Sequence, residues 1–294
     1  MKWTAFTTQP DLLGESPFWH PHEKALYWVD IPGKQLRRCD ASGAKVESWA
    51  MPSEPGCIAP ARRGGLVIAL RDGVYRAPAW GAALTLLASV DHDTVTTRFN
   101  DGKCDRLGRF WPGSMVELRD KRLGKLYCLD MRAGRAPRLQ LMLDDNIIAN
   151  GLDWSPDGRT MYWANAADQV VRAWDWDAQA NRLSGQRVFI RFEDPALGRP
   201  DGATVDSQGN YWIAMFEGGR LLQFSPAGKL LADLSIPAQC PTMPCFGGDD
   251  LRTIYVTSAS HGRPAAELAT QPLAGCVFST RVEVPGLPVN FFED

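Results

Sequence analysis

Four short polar segments stand at matching distances ahead of a recurring turn-and-strand signal. They are Gly14-Glu15-Ser16-Pro17, Arg98-Phe99-Asn100-Asp101-Gly102, Ala149-Asn150-Gly151-Leu152 and Arg199-Pro200-Asp201-Gly202. Taken singly, each reads as a turn pair, because Asn, Asp, Ser, Gly and Pro dominate turns for ordinary reasons. Taken as a set in one phase, they bring Glu15, Asn150, Asp201 and the pair Arg98/Asn100 around one point. Two carboxylates with no cation between them repel and raise each other's pKa. With an amide oxygen added they make a hard-oxygen site whose charge balances a divalent ion. The set holds no His or Cys, which argues against structural zinc. The cofactor expected is one divalent cation, Ca²⁺, Mg²⁺ or Mn²⁺ ahead of Zn²⁺. Three protein ligands leave positions open for water and for a reacting molecule, as a catalytic metal requires.

A repeat must position these side chains. Within Asn150–Asn165, SPDGRTMYW joins a turn to a strand: Pro fixes φ, Gly is free to take positive φ, and Met-Tyr-Trp favours a pleated strand. The same signal recurs in SPFWHPHEKALYWVDI (16–31), ARRGGLVIALRDGVYR (61–76), CDRLGRFWPGSM (104–115), DSQGNYWIAMF (206–216) and GGDDLRTIYVTSA (247–259). The copies are spaced by roughly 40–50 residues, the period of a four-stranded propeller blade. Further strand patterns, KLYCLDM (125–131), VVRAWDWD (170–177) and RLLQFSP (220–226), lie between copies. No amphipathic helix pattern appears, and the 27 Gly and 21 Pro are spread evenly. The expectation is an all-β, six-bladed β-propeller, a single domain over residues 1–294, with a metal-binding pocket on its axis. A sandwich places turns every ~8–12 residues without the longer period. Strands near Cys276–Val284 are expected to complete the last blade with Trp3–Thr7.

The 294 residues are 45 % hydrophobic, enough for a large core, and eleven Trp suit wedges between blades. A net charge of −2 leaves no electrostatic footprint for nucleic acid. No apolar run reaches membrane-span length, and MKWTAFTTQPDLLGESP lacks the apolar stretch of a signal peptide. A cytoplasmic protein without membrane attachment or an obligate protein partner is expected. The seven Cys contain no CxxC pair, so reduced buried thiols are expected, with Cys240 and Cys245 alone close enough in sequence to bridge. His20, His22, His92 and His261 fall in turn or loop contexts and are expected to be solvated. The loop of His261 is the one that could overhang the pocket. Segments 194–199 and 261–271 read as rim loops.

GESPFWH, LYWVDI, RFNDGKCDRLGRFWPGSM, NGLDWSPDGRTMYW, RPDGATVDSQGNYWIAMFEGGR and CFGGDDLRTIYVTSA together resemble the senescence-marker-protein/gluconolactonase/luciferin-regenerating-enzyme family. The resemblance covers essentially the whole chain. It implies a six-bladed propeller with one divalent metal in the axial channel, and hydrolysis of a small-molecule sugar lactone. It also implies that Glu15, Asn150 and Asp201 are metal ligands and that Arg98 and Asn100 bind substrate hydroxyls. Glu117, in GSMVEL, is carried over as a further substrate contact, although the match there is open by one residue. Asn165 stands where the family often has Asp, which removes a charge near the pocket. The mechanism expected makes the cation a Lewis acid at the lactone, Asp201 the general base toward water, and Arg98 a stabiliser of the developing oxyanion. The alternatives are another hydrolase on the same scaffold, such as a phosphotriesterase, or a non-catalytic Ca²⁺-binding propeller. A phosphotriester pocket is expected to be more apolar than one with Arg98 and Asn100. Interaction propellers typically carry WD or kelch signatures, which are absent here.

Overall fold

The computed structural model describes residues 2–294. They form six antiparallel four-stranded sheets, the blades of a β-propeller. The innermost strands are Gly14–His20, Cys57–Pro60, Thr97–Cys104, Ala149–Trp154, Arg199–Val205 and Pro241–Gly247. Five blades are built from consecutive strands. The sixth takes three strands from the C-terminal region and its outermost, Thr4–Ala5, from the N-terminus. Thr4 pairs with Ser279 and Ala5 with Phe278, so the expected closure is present. Closing the ring turns each innermost strand edge toward the axis, away from adventitious pairing.

The repeated turn has a physical basis that the motif only hints at. In DRLGRFW, Asp105 Oδ1 accepts the backbone N–H of Leu107 (2.8 Å) and Arg109 (3.1 Å), and Oδ2 accepts Trp111 Nε1 (2.7 Å). Asp206 repeats the pattern in DSQGNYW, taking Gln208 N, Asn210 N and Trp212 Nε1, each at 2.9 Å. One carboxylate thus closes the turn and anchors the indole of the next strand. In SPDGRTM the first position is Ser155, which has no second oxygen to offer, and the seventh is Met161 rather than Trp. Ser155 Oγ and Asp157 divide the turn bonds there instead.

Tryptophans fill the space between blades: Trp111, Trp154, Trp163, Trp174 and Trp176 form one buried cluster spanning the third and fourth. The Arg109 guanidinium, fully buried, lies 5.0 Å from the Trp176 ring centre and pairs with Asp105. All seven cysteines are free and buried. Two expectations need correction. The 261–271 segment contains a short helix, Ala265–Thr270, which a six-residue stretch could not announce by periodicity. His20 is buried, not solvated, because its ring packs against Phe18, Tyr27 and Phe291. Among the described residues, no helix is long and apolar enough to cross a membrane.

The inner strands share an irregularity. Register breaks between Glu15 and Phe18, Phe99 and Gly102, Asn150 and Asp153, Pro200 and Ala203, and Pro241 and Pro244. Cys57–Pro60 pairs without a break. Each break is a β-bulge at the same phase of its blade, where the ladder lapses and side chains are re-aimed.

Candidate active site at the axial bulges

The four polar segments hold four of these five bulges, so the turn-like residues lie within strands. Gly151 shows why glycine is required: its φ is +60°, and a Cβ there would collide with the Tyr211 hydroxyl. That hydroxyl donates to Gly151 O at 2.6 Å, fixing the neighbouring blade against this one.

Glu15, Arg98, Asn100, Asn150 and Asp201 all line one axial cavity. Its apolar wall includes Met115, Ile148 and Phe216. All five polar residues are buried. Arg98 Nη1 donates to Asn100 Oδ1 (2.9 Å) and to Phe99 O (2.8 Å). Asn100 Nδ2 donates to Asn150 Oδ1 (2.7 Å) and to Ala149 O (2.9 Å). Asn150 Nδ2 reaches Pro200 O at 3.5 Å. A chain of amides therefore orients the Asn150 oxygen and leaves it a second lone pair.

The electrostatics of the floor are unbalanced. Burial raises the carboxyl pKa of Glu15 well above its usual range, and the charges of Asp201 and Asp101 raise it further. Asp201 is likewise raised, first by burial and then by Asp101. Asp101, in the bulge beside Asn100, is pushed up to about 6 by burial, against the opposing pull of Lys103. Its Oδ2 accepts Leu152 N at 3.0 Å, whereas Oδ1 is buried without any partner. Arg98, lowered by burial to about 10, stays cationic at neutral pH and offsets only part of this charge.

Buried carboxylates without countercharge are unfavourable, and a hard-oxygen set with an orphaned acceptor behind it fits a divalent cation. Glu15, Asn150 and Asp201 would hold it, with Asp101 adding charge from outside the cavity lining. Among the described residues no three His, Cys, Asp or Glu side chains converge as a cluster, because the third donor here is an amide.

Glu117 sits on the rim, outside the lining. Arg71 grips both its oxygens, at 3.0 and 3.1 Å, and Arg98 Nε lies 3.7 Å away. Asn165 is buried at the end of its strand, where Nδ2 donates to Asp168 (2.9 Å) and Oδ1 accepts Ala167 N (3.2 Å). None of the four histidines is among the lining residues. Three charged residues escaped sequence reasoning. Asp101 lies next to Asn100 in the same bulge, and Arg199 precedes the Pro-Asp-Gly of another, so phase could have found both. Arg119 comes from a loop between strands and carries no phase signal. Farther along the inner strands a second axial cavity contains Lys103 and Asp153, which satisfy each other at 2.8 Å.

Comparison with known proteins bears on this geometry. The family model described as SMP-30/Gluconolactonase/LRE-like region matches residues 13–260. The chain is 42 % identical to 6-deoxy-6-sulfogluconolactonase of Pseudomonas putida, covering 97 % of this chain and 96 % of that one. It is 36 % identical to regucalcin of Gallus gallus, covering 94 % and 93 %. Among solved structures it is similar to a calcium-binding protein, regucalcin, from Agrobacterium tumefaciens, with a TM-score of 0.91, 26 % identity, and coverage of 98 % and 96 %.

Proposed function

The chain belongs to the SMP-30/gluconolactonase/LRE-like family, and we propose that it hydrolyses a sugar lactone to the open-chain sugar acid. A relative named as a lactonase, matched at 42 % identity over almost the full length of both chains, supports that reading. The observation that carries it is the single cavity joining two buried carboxylates and an amide to a buried guanidinium.

A divalent cation held by Glu15, Asn150 and Asp201 would supply Lewis acidity at the lactone carbonyl. The hard-oxygen donors favour Ca²⁺, Mg²⁺ or Mn²⁺ for that place. Asp201, a buried carboxylate lining the cavity, is the general base toward water. It removes a proton as the water oxygen bonds to the carbonyl carbon and the carbonyl electron pair moves onto oxygen. Arg98 stabilises that developing oxyanion. When the carbonyl re-forms, the ring C–O bond breaks and its electron pair leaves with the ring oxygen. That oxygen receives the proton from Asp201 and becomes the new hydroxyl. Asn100 and Glu117 hold Arg98 in place through 2.9 and 3.7 Å contacts. We assign the reaction to a reducing compartment, the cytoplasm, which suits seven free buried thiols.

The test is a panel of aldonolactones followed by proton release, before and after chelation and with single divalent ions restored. Opening of at least one lactone, lost on chelation and regained with one ion, is expected. Failure to open any lactone sinks the reading, and turnover that survives exhaustive chelation removes the cation from it.

A further inference from the structure

The mouth of the axial cavity carries more guanidinium charge than carboxylate to answer it. Arg98, Arg119 and Arg199 all line the cavity. Glu117 is shared between Arg71 and Arg98, and Arg71 is also answered by Glu54 at 2.8 Å. Glu217 is shared between Arg199, at 2.6 Å, and Arg263, at 2.8 Å. Arg263 in turn holds Glu267 at 2.6 Å. Arg119 is exposed and, among the described residues, has no carboxylate within ion-pair distance. Its backbone is held at φ +56° by a turn bond from its N–H to Val116 O at 3.0 Å. The Arg199 guanidinium lies over the Phe216 ring, 5.1 Å from its centre.

The cavity is therefore polarised. Acidic groups occupy the floor, where a divalent cation would neutralise them, and surplus positive charge occupies the rim. A neutral sugar lactone would leave that rim charge unanswered. A lactone with an oxyanion at its far end would answer it while its carbonyl lay over the floor. Guanidinium forks match such oxyanions with paired hydrogen bonds.

We propose that the substrate of this site is an anionic lactone, a sugar lactone carrying a sulfonate, phosphate or carboxylate remote from the ring carbonyl, with Arg119 and Arg199 as the receiving groups. The proposal rests on the lactonase reading and narrows it.

The experiment compares kcat/KM for a neutral aldonolactone with that for the same ring bearing a terminal sulfonate, phosphate or carboxylate, with divalent cation present. The wild type is expected to favour at least one anionic lactone by ~10-fold or more at low salt, and the preference should shrink as salt screens the rim. Arg119→Gln and Arg199→Gln should each lower the anionic-to-neutral ratio by ~3–10-fold, mainly through KM, and the double variant by more. Arg119→Lys should retain part of the preference. Because the readout is a ratio within one preparation, loss of folded enzyme does not move it. The anion preferred distinguishes among the three oxyacids. A wild-type ratio near one, or a ratio unmoved by both Gln variants, overturns the proposal and leaves the lactonase reading intact. If no lactone of either kind is opened, both fail together.

Discussion

Replacing Asp101 by Asn is expected to stabilise the cation-free protein near pH 8 while weakening its hold on a divalent cation. The carboxyl is buried, one oxygen accepts Leu152 N at 3.0 Å, and the other has no partner. Burial sets its folded pKa at about 6, whereas an unfolded Asp titrates near ~3.9. Between those values the folded state keeps a proton that the unfolded state has released. The stability this confers is fully present below ~pH 4 and is lost as pH rises through about 6. Two pKa units at ~1.4 kcal/mol each make the ionised group unfavourable by ~3 kcal/mol near pH 8 and by about half that near pH 5. The amide of Asp101→Asn keeps an oxygen for Leu152 N–H and carries no charge, but its NH₂ replaces the orphaned oxygen as an unpaired group, at ~1–2 kcal/mol. The net gain is then ~1–2 kcal/mol near pH 8 and about zero near pH 5. Urea unfolding in chelator at both pH values measures it. The same variant should bind divalent cation ~10-fold or more weakly, because the Asp101 charge acts on both Glu15 and Asp201. If Asp101→Asn is no more stable than wild type near pH 8, or gains equally at both pH values, Asp101 is not under electrostatic strain. The case for a cation-demanding floor then loses its main support.

Three further outcomes are expected. Asp201→Asn should retain the native circular dichroism spectrum but lower kcat on any lactone substrate by ~10²–10⁴-fold, and near-wild-type turnover would remove it as the base. Cation affinity should fall as pH falls, beginning above the ordinary carboxylate range, because Glu15 and Asp201 must release protons that burial makes them hold; calorimetry in buffers of different ionisation enthalpy should show proton release, and an affinity flat across ~pH 5–8 contradicts this. Asp105→Ala should destabilise by ~3–5 kcal/mol in denaturant unfolding, since it strips the fully buried Arg109 of its partner and leaves Trp111 Nε1 unbonded; a loss within ~0.5 kcal/mol would show that the turn carboxylate does not anchor the blade.

The propeller was legible because its repeat is local chemistry. A turn carboxylate that takes two backbone N–H groups and an indole writes D-x-x-G-x-x-W into the chain, and Asp105 and Asp206 show it plainly. The helix Ala265–Thr270 and the burial of His20 were not legible. The helix is too short for a period to emerge, and His20 is covered by Phe291 from the far end of the chain. Charge around the cavity divided along the same line. Residues in blade phase could be placed from their spacing, whereas Arg119 sits in a connecting loop whose path no spacing fixes. Glu117 lies one strand-end away from the cavity and meets Arg71 from a different blade, a contact with no local signature.

Why the chemistry collects at bulges follows from the cost of polar groups inside a sheet. In an unbroken stretch of ladder the backbone is committed to pairing and the side chain to one face, so a buried charge there meets hydrocarbon on the next blade. At a bulge the backbone is released, and the side chain can turn toward the axis, where other bulges supply partners. Five inner strands break at this phase, and their occupants differ. Asn100 and Asp201 lie inside their breaks, Glu15 and Asn150 are the last ladder partners before theirs, and all four face one cavity. Thr242, at the fifth break, instead spends its hydroxyl on Gly14 O and Thr257. Cys57–Pro60 has no break and supplies no polar side chain to the cavity. The ladder therefore sets the positions, while the residues in and beside each break set the donor set of the cavity.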